Sequence, residues 1–228
     1  MLDNHNRVDL KINGQGTSSG GKYNTVSIMG EGEVDGDIDC VNTKIYGEGK
    51  LVGNLKTEKT VNIKGHTSIK GNLEAEKIKL QGEIDVDGEV LVDEATLTGT
   101  ISTSGDCNAE IFTLEGGFTI KGLLNADILK INLYWPCEVQ EIGGSKITIK
   151  RDGKLSFLGL KNMIMPGGHN ELKADIIEGD DVYLENTIAK VVRGDNINLG
   201  PGCKIELVEY KNNFKQDKAA EVGTKQTI

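Results

Sequence analysis

The chain is poor in bulky side chains and in the residues that break regular structure. Aromatic residues make up only 4% of its 228 residues, and three prolines stand beside 30 glycines. Since large side chains are scarce, the core must be built from small and β-branched residues in a narrow interior. Abundant glycine with so little proline is not the composition of a proline-rich disordered chain.

The chain also lacks an excess of basic residues and any long hydrophobic run. Lys and Arg number 26 against 35 Asp and Glu, a formal net charge of −9, which argues against nucleic-acid binding and against a polybasic membrane contact. No apolar run approaches the ~18 residues that span a bilayer, and the N-terminus lacks the apolar segment of a signal peptide. We therefore expect a cytoplasmic protein, in which Cys40, Cys107, Cys137 and Cys203, with no C-x-x-C pair among them, are small buried hydrophobic residues.

A short repeat, with a period of about 17–18 residues, dominates the first two thirds of the sequence. One glycine series consists of Gly30, Gly47, Gly65, Gly82, Gly99 and Gly116, and a second consists of Gly36, Gly53, Gly71, Gly88, Gly105 and Gly122. Aliphatic residues precede the first series by two positions, at Ile28, Ile45, Ile63, Leu80, Leu97 and Leu114. Within each copy apolar residues alternate with polar ones, which predicts strands. One copy cannot bury its apolar face alone, so the copies are predicted to stack as rungs of a β-solenoid, about 4.8 Å apart.

The extent of the repeat predicts five regions. A flexible tail, residues 1–7, precedes a β-solenoid array over 8–142, in which each rung has the length of one repeat, and an irregular transition follows over 143–172. A second, shorter β-repeat region is predicted over 173–210, because Gly179 and Gly194 occupy equivalent places in two similar segments. Residues 211–228 are polar and are predicted to form a disordered tail. The pattern leaves open whether the second array continues the axis of the first.

No residue pattern predicts catalysis, cofactor binding or metal binding. Of the three histidines, His5 and His169 have no partner nearby in sequence, and His66 shares an outward column with Glu31, Glu48 and Glu83. Such a column could hold a divalent ion or an acid–base pair. The solvated face of a strand explains it better, with His66 reducing the repulsion between like charges on neighbouring rungs. No G-x-S-x-G motif occurs, and no cysteine has an evident histidine partner.

The recurring pattern aliphatic–x–Gly–x–x–x–aliphatic–x–Gly–x–aliphatic, in a small acidic chain, resembles that of the bactofilins. The likeness covers residues 8–142, and "IEGDDVYLENTIAKVVRG" and "LGPGCKIELVEY" resemble the longer members found in Gram-positive bacteria. The resemblance implies a right-handed β-helix that polymerises end to end into a cytoskeletal scaffold for cell shape, envelope assembly or motility, needing neither nucleotide nor cofactor. It also implies as partners the chain itself, related paralogues and cell-envelope proteins.

The ends of a solenoid expose unpaired backbone groups and an open core, so an uncapped end is a template for another copy. Contacts between identical ends would give a non-polar filament. The residues predicted to make the polymer contacts are Leu10, Ile12 and Tyr23 at one end, and Ile197, Leu199, Ile205 and Leu207 at the other if the last array is terminal.

A peripheral contact with the inner face of the cell membrane is a further expectation. Many bactofilins attach through an apolar N-terminal segment, and here Leu2 is the candidate. Burying one leucine contributes roughly 2 kcal/mol, too little for a monomer, although a filament would multiply it.

Two other classes of protein build β-solenoids. One is the hexapeptide-repeat acyltransferase, a trimeric enzyme with a histidine base at a subunit interface, for which this sequence offers no plausible base. The other is a passive surface for cell-wall glycan, which would require export.

Overall fold

The computed structural model describes residues 7–151 and 170–228, and this part of the chain is almost entirely β-strand, with no helix. Nine strands follow one another, and each winds through at least part of a rung. They are Val8–Val52 (β1), Leu55–Ile69 (β2), Leu73–Val86 (β3), Val90–Thr103 (β4), Cys107–Lys150 (β5), Leu172–Leu184 (β6), Thr187–Leu199 (β7), Lys204–Gln216 (β8) and Glu221–Thr227 (β9). The all-β solenoid predicted from the repeat is confirmed. In the described residues no helix is long and apolar enough to cross a membrane.

The chain divides into two compact units, Met1–Glu110 and Ile111–Ile228. In the first unit, β1 pairs in parallel with β2, β2 with β3, and β3 with β4. The register aligns Gly47 with Gly65, Gly82 and Gly99, so the glycine columns of the sequence are physical stacks along the unit. The aliphatic columns beside them form the core, and Ile45, Ile63, Leu80 and Leu97 are at most 2% exposed.

One glycine column shows why the repeat tolerates no other residue there. Gly82 and Gly99 have φ values of 140° and 132°, in the left-handed region that glycine adopts at least cost. A Cβ on either one would also collide with the carbonyl oxygen of the glycine one rung earlier, Gly65 or Gly82. Both the turn and the close approach of neighbouring rungs therefore require glycine.

The second unit continues the parallel stacking with a shorter rung. The last part of β5, from Cys137, pairs with β6, and β6 pairs with β7, β7 with β8 and β8 with β9. Leu172 lies directly beside Thr187 on the next strand. One rung therefore takes up only the residues from one to the other, fewer than in the first unit. Cys137 lies beside Leu172, and residues 152–169, which lie outside the described part, come between them in the sequence. The second array therefore follows directly on β5 within this unit.

Two regions differ from the sequence-based expectation. Residues 143–150, part of the predicted irregular transition, belong to β5, where Ile147 and Ile149 are fully buried. The residues from Lys211 onward, predicted to be a disordered tail, continue β8 to Gln216 and form β9. Their composition is polar because they are an outer rung, and backbone pairing with the preceding rung holds them in place.

Candidate assembly surfaces at the chain ends

Among the described residues, no strand covers the outer edge of the first rung of β1, which is apolar on its inward side. The strand begins at Val8, whose side chain is 66% exposed, and continues through Leu10, which is half-buried, to Ile12, which is 7% exposed. On its inner side this rung stacks on the next, where Gln15 Nε2 donates to Glu31 Oε2 at 2.7 Å and Asn24 Nδ2 donates to Asp9 Oδ1 at 3.0 Å. On its outer side it is the edge of the sheet. The inward residues at this edge carry no charge.

Tyr23, the third residue predicted for this contact, is half-buried and already bonded within its own chain. Its hydroxyl donates to the carbonyl oxygen of Ser19 at 2.8 Å. A Cβ on Gly21 would lie 3.5 Å from that hydroxyl, so the ring covers the backbone there. The structure thus places Tyr23 beside the first rung, where it packs on the turn that closes this rung.

Arg7 fixes the start of the first rung against the side of the first unit. One terminal nitrogen lies 3.2 Å from Asp39 Oδ1 and the other 2.8 Å from Glu58 Oε1, and the side chain is only 19% exposed. Arg7 therefore holds the start of the first rung in place. Leu2, the candidate membrane contact, and the rest of residues 1–6 lie outside the described part.

At the other end, the four predicted contact residues lie inside the stack. Ile197 and Leu199 are at most 2% exposed, because β8 stacks on β7. Ile205 and Leu207 lie beside Val222 and Thr224 of β9. The premise for choosing these four residues, that their array is terminal, does not hold, since β9 follows it. The sequence signal for β9 was a weak alternation of apolar and polar residues, with Ala220 and Val222 at the apolar positions.

His66 lies on the outside of the first unit, as its column predicts. Its Nε2 lies 3.2 Å from Asp85 Oδ2 and its Nδ1 3.8 Å from Glu83 Oε2, and its side chain is 48% exposed. No group of three or more His, Cys, Asp or Glu in the described residues is arranged to hold a metal ion. His5 and His169 lie outside that part of the chain.

The four cysteines are free and buried, which confirms their interpretation as core residues. Burial raises the pKa of Cys107 and Cys137 to about 12 and that of Cys203 to about 11. Burial also raises the pKa of Cys40, whose Sγ lies 3.1 Å from Thr43 Oγ1 and 3.5 Å from Thr57 Oγ1. Because only the thiolate is nucleophilic, these thiols are inert at neutral pH.

The parallel β-solenoid with an interior of stacked aliphatic columns and an exterior of paired charges is the fold on which the comparisons with known proteins bear. Residues 48–125 match the family profile described as "Bactofilin: Polymer-forming cytoskeletal". The chain is 47% identical to the protein YhbF of Bacillus subtilis (strain 168) over 95% of this chain and 96% of that one. It is 42% identical to YhbE of the same organism over 37% of this chain and 34% of that one. No solved structure matches the chain.

The chain belongs to the bactofilin family, as its repeat indicated. This is a family of polymer-forming cytoskeletal proteins, structural rather than enzymatic.

Proposed function

We propose that this protein assembles end to end, without nucleotide, into non-polar filaments that act as a cytoskeletal scaffold for cell shape, the envelope or the motility machinery. The observation that carries the proposal is the first rung, whose inward residues Val8, Leu10 and Ile12 are apolar and whose outer edge no strand of the described chain covers. A strand edge of this kind exposes a row of backbone donors and acceptors that another strand can pair with.

The chemistry of this edge favours a second copy of the chain as its partner. Two identical edges related by a two-fold axis bury the same apolar residues from both sides and form a closed contact. Growth beyond two chains then needs a second contact, at the C-terminal end of the second unit. Alternating contacts of the two kinds produce a filament without polarity.

The remaining parts of the proposal concern location and partners. We place the filament in the cytoplasm, where its net charge of −9 disfavours nucleic acid. Related paralogues and cell-envelope proteins are further proposed partners. A weak peripheral contact through Leu2 would be strengthened by the many copies in a filament. The alternative, a trimeric acyltransferase, has no specific observation in its favour, since His66 lies on an open strand face between carboxylates.

Electron microscopy of the purified protein in plain buffer, with and without Ile12→Lys, tests the proposal. A lysine at position 12 places a charge in the apolar column at the edge, so we expect the filaments to be lost. The fold should be retained, because the end position lets the ammonium group reach water.

Thr17→Lys is the matched control, since Thr17 is exposed on the outward side of the same rung. It adds the same charge to that rung, and its filaments should persist. Unchanged filaments in Ile12→Lys would remove this end from the contact, and discrete trimers of the wild-type protein would favour the transferase.

A further inference from the structure

Two interior columns of the second unit end in polar residues at its C-terminal edge, while two others end in Val222 and Phe214. Register places Ile177, Val192 and Val208 in one column, and the next position in that column is Lys225 of β9. A second column runs through Leu184 and Leu199 and ends at Gln216. The residues immediately before these two ends, Val208 and Leu199, are completely buried. The change from aliphatic to polar residues therefore occurs at the last position of each of these two columns.

Strand β9 covers only part of the rung beneath it. It pairs with residues 204–210 of β8, while Asn213–Gln216 pair with β7 on one side and have no β9 residue on the other. Lys225 reaches from β9 toward this uncovered part, where its Nζ lies 5.5 Å from the centre of the Phe214 ring. The Phe214 ring in turn stacks on Tyr210 at 5.5 Å. The lysine stem and its charge thus cover the end of the core.

Hydrogen bonds hold the turn before β9 in this position. Gln216 Nε2 donates to the carbonyl oxygen of Ala220 at 2.8 Å, and the backbone N–H of Ala219 donates to Asp217 Oδ1 at 2.8 Å. Gln226 Nε2 donates to Glu209 Oε1 at 2.7 Å. A short edge strand with lysine on it is a common protection against pairing with another sheet. Terminal repeats with a polar outer face likewise cap solenoids.

Without β9 the same end would be apolar. Cys203, Ile205 and Val208 are at most 3% exposed under β9 and its turn, and they would become the last inward residues, together with Phe214. Such an end would resemble the first rung of the first unit, whose inward residues carry no charge. Yet β9 is short and nearly all of its side chains are exposed, so it belongs to the least stable part of the unit.

We propose that β9 with its preceding turn, residues 217–228, is a displaceable cap that weakens association at the C-terminal end until it is moved or neutralised. The inference rests on the proposed end-to-end assembly and deepens it. The N-terminal contact forms freely, whereas the C-terminal contact that extends the filament depends on this cap. Bringing two capped ends together would place like charges at the centre of the contact, which is unfavourable.

The test uses the full chain carrying Ile12→Lys, so that only the C-terminal end is available, and measures particle mass by sedimentation velocity. Ile12→Lys alone is expected to remain a single chain. Adding Lys225→Val restores the residue type of its column and leaves β9 in place, and we expect particles of two chains, with association at least about tenfold tighter. Ending the chain after Gln216 should have the same effect.

Lys215→Val is the matched control. Lys215 is exposed beside Asn198 on the outward side of the same end, so its replacement removes the same charge without changing the column, and the chain should stay single. Far-ultraviolet circular dichroism checks that each variant is folded. If truncation unfolds the chain, Lys225→Val decides alone, because it retains β9.

Two outcomes would overturn the inference. One is a folded Lys225→Val variant that remains a single chain in the Ile12→Lys background. The other is two-chain particles of Ile12→Lys alone that truncation abolishes, since β9 would then itself be the contact. Failure of the proposed assembly gives a different result, namely wild-type protein that behaves like Ile12→Lys, and the comparison of C-terminal variants is unaffected by it.

Discussion

The rungs of the two units differ in length. In the first unit, Gly47, Gly65 and Gly82 occupy the same place on successive rungs, whereas in the second unit Gly179 and Gly194 do so and are closer together in the sequence. The longer rung turns at glycines with positive φ, such as Gly82 at 140°. The shorter rung also places glycine at a close approach, at Gly179 and Gly194, but outside the left-handed region. Both corners need the absence of a side chain, and only the corner at Gly82 also needs the unusual backbone.

Lysine and arginine join the rungs in different ways. In the first unit, lysine joins neighbouring rungs in single pairs, such as Lys77 with Glu94 at 2.9 Å, whereas Arg7, at the start of β1, contacts two carboxylates. In the second unit, Arg193 lies between two rungs, with Glu178 at 2.9 Å on one side and Glu209 at 2.6 Å on the other. One guanidinium group therefore links three successive strands, which the single ammonium pairs do not do.

Replacing a glycine at a corner of a rung should cause the largest loss of stability. Gly82→Ala combines a positive φ with a collision against the Gly65 carbonyl oxygen, so we expect it to lower the free energy of unfolding by about 3 kcal/mol or more. Gly179→Ala collides with the Gly144 carbonyl oxygen without the strained φ, and should cost about 1–2 kcal/mol less. Urea denaturation of each variant measures the difference.

Gly36→Ala separates the two causes. Its φ is 105°, but the nearest atoms to an added Cβ, on Gly20, are 3.6 Å away, an ordinary contact. Gly36→Ala should therefore lower the free energy of unfolding only through the strained φ of an alanine there, by about 1–2 kcal/mol. Equal costs for all three variants would mean that the corners of the two units are not different in kind.

The sequence was sufficient to predict the first unit because its strands, turns and core all repeat in one period. Glycines at fixed spacing and alternating aliphatic residues define both the register and the inward face. Arg7 could not be placed in this way, since its partners Asp39 and Glu58 are distant in the sequence and no repeat relates them to it. Strand β9 was missed because an outermost rung has only one neighbour and so has little need of apolar residues.

Two buried threonines, one in each unit, should give intermediate effects of opposite sign on stability. Thr67 in the first unit is fully buried and its hydroxyl has no hydrogen-bond partner in the described chain, whereas Thr187 in the second is equally buried and donates to the carbonyl oxygen of Glu185 at 3.0 Å. Replacing threonine with valine keeps the shape and removes the hydroxyl.

We expect Thr67→Val to raise the free energy of unfolding by about 1 kcal/mol and Thr187→Val to lower it by a similar amount. Thermal unfolding of the two variants beside the wild type serves as the measurement, and each variant is the control for the other. A loss of stability in both would show that Thr67 has a partner, such as a buried water.

The smallest expected effect concerns the pH dependence of stability. The hydrogen bond from Arg193 lowers the pKa of Glu209, with a further contribution from Gln226, and the hydrogen bond from Lys77 lowers the pKa of Glu94. A carboxyl whose folded pKa is depressed stabilises the fold above its ordinary pKa of 4.5, and this contribution is lost as the pH falls through the folded value. Each pair should therefore contribute at pH 7 and cease to contribute in strong acid.

Arg193→Gln and Lys77→Gln test whether the ion pairs of Arg193 across three strands raise the melting temperature more than the single pair of Lys77 does. At pH 7 we expect both variants to melt below the wild type, Arg193→Gln by the larger margin, because it leaves two carboxylates without their cation while Lys77→Gln leaves one. Since these groups are exposed or half-buried at the surface, the differences should be small, and they should shrink in high salt. As the pH falls below 4.5, the melting temperatures of both variants should converge on that of the wild type. Equal margins for the two variants at pH 7 would show that Arg193 stabilises the fold no more than a single surface pair does.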